Sequence, residues 1–141
     1  MSRTSSPSEL LYGPIQMTLI MCYVGSTKFM TQTGIIIMAT LVGDGVAAMA
    51  GIRYGRHEYR LPLGGHKSVE GTLGCVVGTM GGIWFYSYMC GIEVEGGWRM
   101  MLGYGCISAV VEATSVCNWD NLLLAVAMEF SAKHLPQYIV G

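Results

Sequence analysis

Apolar residues fall along the chain in blocks separated by short polar stretches. The blocks cover about Leu10 to Gly25, Thr33 to Gly51, Gly71 to Gly91 and Arg99 to Cys117, with a shorter one from Leu122 to Phe130. Crossing a bilayer as a helix takes about 20 residues, within a range of roughly 17 to 25. The second, third and fourth blocks meet that length and the first is slightly short. The fifth meets it only if the helix continues through Lys133 into the apolar tail ending at Gly141. The pattern predicts an all-α fold, a multi-pass transmembrane helical bundle of four spans with a marginal fifth, forming a single membrane domain over residues 1–141.

Composition points the same way. Of the 141 residues 52% are apolar and 12% charged, about half the charged fraction of an ordinary soluble domain, roughly 25%. Gly (20 residues) and Met (11 residues) are abundant, and small residues are what lets membrane helices approach closely. Cys22, Cys75, Cys90, Cys106 and Cys117 are scattered singly through apolar runs, so they read as small apolar fillers. His57, His66 and His134 show no metal-ligand spacing, which argues against a structural zinc site. Residues Met1 to Ser8 are Ser-rich and lack an apolar signal core, so a targeting address is expected to be missing or internal.

The placement of charge orients the bundle. The stretch from Ile52 to Glu70 carries Arg53, Arg56, Arg60 and Lys67 against Glu58 and Glu70, whereas the turn before Arg99 holds Glu93 and Glu95. Basic short loops favour the cytoplasm-equivalent side. Alternation then puts the N-terminus, the basic loop and the segment Asn118-Trp119-Asp120-Asn121 on one face, with Lys28 on the other.

Two acids interrupt otherwise uncharged stretches, Asp44 in the second block and Glu112 in the fourth. An ionisable group at such a depth costs at least about 2.5 kcal/mol on insertion scales, which marks it as a functional candidate. Asp44 lies nine residues before Arg53 and Glu112 eight before Asp120, so both sit about 12 to 13 Å below the same surface at 1.5 Å per residue. Thr40, Asp44, Ala47, Ala48 and Gly51 share one helical face, as do Gly105, Ser108, Ala109, Glu112 and Ser115. Gly71, Gly74, Gly78 and Gly82 line a third helix, and these stripes predict three closely packed helices with the acids facing inward. The alternative is that the glycines serve packing alone and the acids pair with an Arg or Lys.

Arg56, Lys67 and Ser68 lie near Gly64-Gly65, just before the third helix, where helix-start N–H groups could join them around a phosphate. A basic loop alone also fits a topology anchor or a lipid-headgroup contact. Cations and acids on one face together suit phosphoryl transfer, which needs groups to hold a metal and groups to neutralise phosphate. Two look-alikes are rejected. Gly64-Gly65-His66-Lys67-Ser68 has His66 where a P-loop needs glycine, and Gly43-Asp44-Gly45 would set a carboxylate against the pyrophosphate of a dinucleotide.

Several segments resemble the polyprenol kinase family, which includes phytol, farnesol and dolichol kinases. They are Glu9-Leu10-Leu11-Tyr12-Gly13-Pro14; Gly43-Asp44-Gly45-Val46-Ala47-Ala48 with Gly51, Arg53-Tyr54-Gly55-Arg56 and Leu61-Pro62; Lys67-Ser68-Val69-Glu70-Gly71; Val111-Glu112; and Asp120-Asn121. The resemblance spans about residues 9 to 130 and is closest to phytol or farnesol kinases. It implies CTP-dependent, Mg²⁺-assisted phosphorylation of an isoprenoid alcohol, a lipid kinase reaction with an alcohol acceptor. Asp44, Glu112 and Lys67 would be catalytic; Arg53, Arg56, Lys67, Ser68, Glu70 and Gly71 would hold nucleotide phosphates; Asp44, Asp120 and Asn121 would hold the metal. The expected partners are nucleotide, prenyl alcohol and membrane lipid, with no nucleic acid, in a plastid membrane if the source is photosynthetic and otherwise in the endoplasmic reticulum or cell membrane. Gly64-Gly65-His66 departs from a more Asn/Lys-rich family stretch. Family members also carry further N-terminal spans, which makes this chain comparable to the C-terminal part of a longer kinase, a truncated form or a degenerate paralogue. Other readings are a lipid-phosphate cytidylyltransferase, with similar acids and metal, and a non-catalytic membrane scaffold.

Overall fold

The computed structural model describes residues 7–60, 66–114 and 120–139. The helices start where a hydroxyl can accept from the first free amides. Thr31 caps α2 (Gln32–Tyr54) by accepting from the Gly34 N–H at 3.2 Å, and Ser68 caps α3 (Val69–Cys90) by accepting from Gly71 N–H at 3.1 Å. Gly91 ends α3 in the left-handed conformation, φ 64°, which glycine adopts without a Cβ penalty. With α1 (Pro7–Thr27), α4 (Gly97–Thr114) and α5 (Asp120–Ile139) these helices account for most of the described chain.

The expected all-α fold is interrupted by one short hairpin. Strands β1 (Glu58–Arg60) and β2 (His66–Ser68) pair antiparallel with Tyr59 opposite Lys67. Two charged three-residue strands carry no period-2 apolar pattern, so they read as loop in the sequence. The fifth helix is also longer than its apolar block: α5 runs 20 residues, through Lys133 and Pro136. Lys133 donates to Glu129 at 3.1 Å one turn earlier, a pairing that supports the helix on its outer side while Ala132 and Leu135 pack against the core.

Among the described residues two helices, α2 and α3, are long and apolar enough to cross a membrane, with mean hydropathy 2.0 and 1.2. The ends of α4 carry Arg99 and Glu112, and α5 carries Glu129 and Lys133, which lowers their apolar content.

Helix α2 packs against all four other helices and supplies the centre of the core. Its Ile35, Ile36, Ile37, Ala39 and Leu41 are buried with Ile20 and Val24 of α1, Ile83 of α3, Met100 and Tyr104 of α4, and Leu124 and Met128 of α5. The seam between α2 and α3 is built from the predicted glycine stripe. A Cβ added at Gly78 would lie 2.8 Å from the Val46 Cβ and 3.0 Å from the Gly43 Cα, and one at Gly82 would lie 3.1 Å from Ala39. A Cβ at Gly43 would run into the Thr79 hydroxyl. Helix α4 joins the seam at Gly105, where an added Cβ would lie 3.0 Å from the Val76 carbonyl, and through Ser108, whose hydroxyl meets the Cys75 thiol at 3.4 Å. Three helices thus approach backbone to backbone, as the small-residue stripes predict.

Candidate active site

The C-terminal half of α2, the start of α3 and the end of α4 surround a cavity of about 660 Å³. Asp44, Ala47, Ala48 and Gly51 face it from α2, Lys67, Ser68, Gly71 and Thr72 from the β2–α3 junction, Glu112 from α4, Asn121 from α5, and Tyr12 with Gly13 from α1. Of the residues singled out in the sequence, Asp44, Lys67, Ser68, Gly71, Glu112 and Asn121 therefore share one space. All of them lie at the same end of the bundle, with the Lys28 turn at the other.

Close helix approach is what delivers them there. Gly71 sits against α2 so tightly that a Cβ would lie 3.3 Å from the Ala47 carbonyl and 3.5 Å from the Gly51 Cα. This contact holds the start of α3, and with it Ser68 and Lys67, beside the helix that carries Asp44. Gly55 is equally constrained, since a Cβ there would press on the Gly51 carbonyl and come within 3.1 Å of the Ser68 side chain.

Lys67 and Glu112 form the central contact. The ammonium lies 2.7 Å from Glu112 Oε1 and 2.8 Å from the Glu112 carbonyl oxygen, with both side chains largely shielded (19% and 16% exposed). One lysine thereby neutralises the carboxylate and occupies a carbonyl in the last turn of α4, where a cation also meets the negative end of the helix dipole. The sequence alternative of an acid paired with a lysine is thus realised at Glu112. It does not exclude chemistry, because an ammonium has three donors and Glu112 engages two of them.

The first turn of α3 is partly occupied by the chain itself. Val69 N–H donates to the His57 carbonyl at 3.0 Å and Gly71 N–H to the Ser68 hydroxyl. Those two amides are spent within the fold, so the positive group facing the cavity here is Lys67 more than the helix start.

The remaining expected residues lie elsewhere. Arg53 in the last turn of α2 and Arg56 just beyond it are exposed and outside the cavity wall. Glu70 turns away to accept from His57 Nδ1 at 2.8 Å and from the His57 N–H at 3.4 Å. It fastens the hairpin to α3, a task shared by Tyr59, whose hydroxyl meets the Thr72 hydroxyl at 2.7 Å. The side chain of Asp120 lies outside the described residues. Thr72, Glu58 and His66 border the cavity without having been singled out; nothing in their spacing distinguishes them from other polar residues of the loop.

The donor set can be weighed against Mg²⁺. Among the described residues no three His, Cys, Asp or Glu side chains come together as a ready-made metal site. Mg²⁺ in nucleotide sites is held by one or two carboxylates together with substrate phosphates and water. A cavity with Asp44 and the Asn121 amide on its wall offers oxygen donors of that kind and number.

No family model and no solved structure matches the chain. Among curated proteins, one named probable phytol kinase 2, chloroplastic, from Oryza sativa subsp. japonica is 30% identical over 131 residues, covering 86% of this chain and 42% of that protein. A phytol kinase from Synechocystis sp. is 45% identical over 93 residues, covering 63% of this chain and 37% of that protein. The chain is a homologue of the phytol kinases. This phytol kinase homologue spans less than half the length of either relative.

Proposed function

We propose that this phytol kinase homologue transfers a phosphoryl group from CTP to the hydroxyl of a long-chain isoprenoid alcohol, phytol or farnesol by preference, as an integral, multi-pass membrane protein. The observation that carries the reading is the gathering of Asp44, Lys67, Ser68, Glu112 and Asn121 around one cavity. Relatives named phytol kinase give the reaction class.

A bilayer setting is supported by the outer face of α3, where Leu73, Val77, Trp84 and Tyr88 are between 60% and 77% exposed. A continuous apolar face of that size is costly in water, and lipid solvates it. The reading takes α1 and α4 as further spans, α5 as the marginal fifth, and the cavity end as the side facing the nucleotide, flanked by the exposed Arg53 and Arg56 in keeping with the basic-loop rule. A plastid membrane suits a photosynthetic source, as the chloroplastic name of one relative suggests; the endoplasmic reticulum or cell membrane is the setting otherwise.

In the proposed reaction the alcohol oxygen bonds to the γ-phosphorus in line with the departing β-phosphate oxygen, whose bond to phosphorus breaks. The hydroxyl proton passes to the Glu112 carboxylate and the nucleoside diphosphate leaves. Lys67 orients that carboxylate and turns its third N–H to the transferring phosphate, while the Ser68 hydroxyl lies beside it. Asp44, Asp120 and Asn121 would hold Mg²⁺, whose charge offsets the negative charge of the phosphoryl oxygens. Positioning and charge neutralisation are most of what such a transfer asks of a protein.

The test is a lipid phosphorylation assay on the purified chain in liposomes, comparing phytol, farnesol and dolichol, each with CTP and with ATP. The reading expects a prenyl monophosphate, made best with CTP and with the shorter alcohols. Absence of phosphorylated lipid with every pair would remove it.

A further inference from the structure

A lipid kinase must solve a geometric problem that a soluble kinase does not: the hydroxyl must reach the polar cavity while its hydrocarbon chain stays in an apolar setting. The wall formed by α1 and α2 is where the structure makes room for this. Along α1 the inward face is Gln16, Ile20 and Val24, all buried. One step earlier at helical spacing that face reaches Gly13, where an added Cβ would meet no described atom within 4 Å although Gly13 lines the cavity. Helix α1 therefore packs tightly along its middle and stands clear of its neighbours at Gly13. Packing does not require glycine there; the following Pro14 does favour it, because a helical residue before proline is crowded by the proline ring once it bears a Cβ.

Across the gap α2 presents the small side chain of Ala48 on the cavity wall. The rim is apolar: Tyr12 on one side is 47% exposed and Ile52 on the other 89%. The opposite walls differ, being closed by the α2–α3 seam and by the Lys67–Glu112 pair. The cavity thus has a polar, closed interior and one apolar, open side.

Resting on the proposed kinase reading, we infer that the prenyl chain of the alcohol enters laterally between α1 and α2, through the gap left by Gly13 and Ala48, with Tyr12 and Ile52 as the walls that contact the chain. The hydroxyl end reaches Glu112 and the distal isoprene units remain outside in lipid. A side opening of this kind contacts only the first units of the chain. It accounts for a site that binds long alcohols without enclosing their full length.

The experiment is photo-crosslinking of the whole chain in phosphatidylcholine liposomes with a farnesol analogue carrying a diazirine on its second isoprene unit, followed by peptide mapping. Label on the segments containing Tyr12 and Ile52, competed by unlabelled phytol, is the expected result. Ala48→Leu fills the gap from an exposed position and should reduce that label about tenfold, the scale of a modest steric conflict. Gly81→Leu, a still larger addition on α3 at a site with no described atom within 4 Å, should leave it unchanged. Label mapping to α3 or α4 instead, or label insensitive to Ala48→Leu, would overturn the proposal. Because crosslinking needs no turnover, label on these segments with no phosphate transfer would sink the kinase reading while leaving the lateral route standing.

Discussion

The seam between α2 and α3 and the side of the cavity between α1 and α2 are both built from small residues, and they use them for opposite ends. In the seam, Gly43, Gly78 and Gly82 let two helices touch, so that a single added carbon has nowhere to go. Around the cavity, Gly13 leaves space that no described residue fills, and Ala48 lines the wall across from it. The two are also coupled. Gly71 brings the start of α3 against Ala47 and Gly51, and that contact sets Lys67 and Ser68 at the cavity wall. A glycine stripe therefore says that helices come close; only the neighbours say whether the closeness serves packing or frames a void.

The sharpest way to break the comparison is to strike the cavity without touching the seam. Lys67→Met removes the two hydrogen bonds that Lys67 gives Glu112 and the cation proposed to meet the phosphate. Transfer should fall by about a hundredfold or more, in the range for loss of one preorganised charge-stabilising donor, as measured by initial rates of lipid phosphorylation. The helical circular dichroism signal should persist.

Striking the seam should do the reverse. Gly78→Ala forces a carbon against Val46 and Gly43 and should destabilise the fold by about 1 to 3 kcal/mol, the usual cost of overpacking, read from denaturant unfolding in detergent. Activity per folded molecule should change little. An unchanged unfolding midpoint would mean that α2 and α3 are not in backbone contact.

Adjacent glycines sharpen the point further. Gly82 faces Ala39 with no room to spare, whereas Gly81 has nothing within 4 Å of its would-be Cβ. Gly82→Ala should destabilise, while Gly81→Ala should stabilise by roughly 0.5 to 1 kcal/mol through helix propensity alone. Equal signs in the two unfolding curves would contradict the assigned faces of α3. The smallest effect is expected at Thr79, a fully buried residue in the seam whose hydroxyl oxygen has no hydrogen-bond partner among the described residues. Thr79→Val keeps the shape and should be close to neutral, stabilising by at most a few tenths of a kcal/mol.

The sequence reads clearly where apolar blocks are long and acids interrupt them. The boundaries of α2, α3 and α4 fall within about three residues of the apolar blocks, because the same residues that define the pattern are the ones packed between helices. Asp44 and Glu112 stand out because a carboxylate in an apolar helix has few uses, and both do border the cavity. The end of α5 was legible only conditionally, since Lys133 and His134 interrupt the apolar run although Ala132 and Leu135 continue its inward face. The loop did not read. Its charged residues follow no period, so their order along the chain does not say that Lys67 turns inward to Glu112 while Arg53 and Arg56 stay outside and Glu70 binds His57. The Lys67–Glu112 pair joins residues 45 positions apart, and that long-range contact is invisible to any local pattern.

The central claim is that the cavity holding Asp44, Lys67 and Glu112 is where phosphate changes hands. Its most direct measurement follows the γ-phosphate of labelled CTP into prenyl alcohol with the wild-type chain and with Asp44→Asn, both reconstituted in liposomes with Mg²⁺. The account predicts labelled lipid monophosphate from the wild type and none above background from a variant that inserts and folds normally. Equal label from both proteins would contradict it.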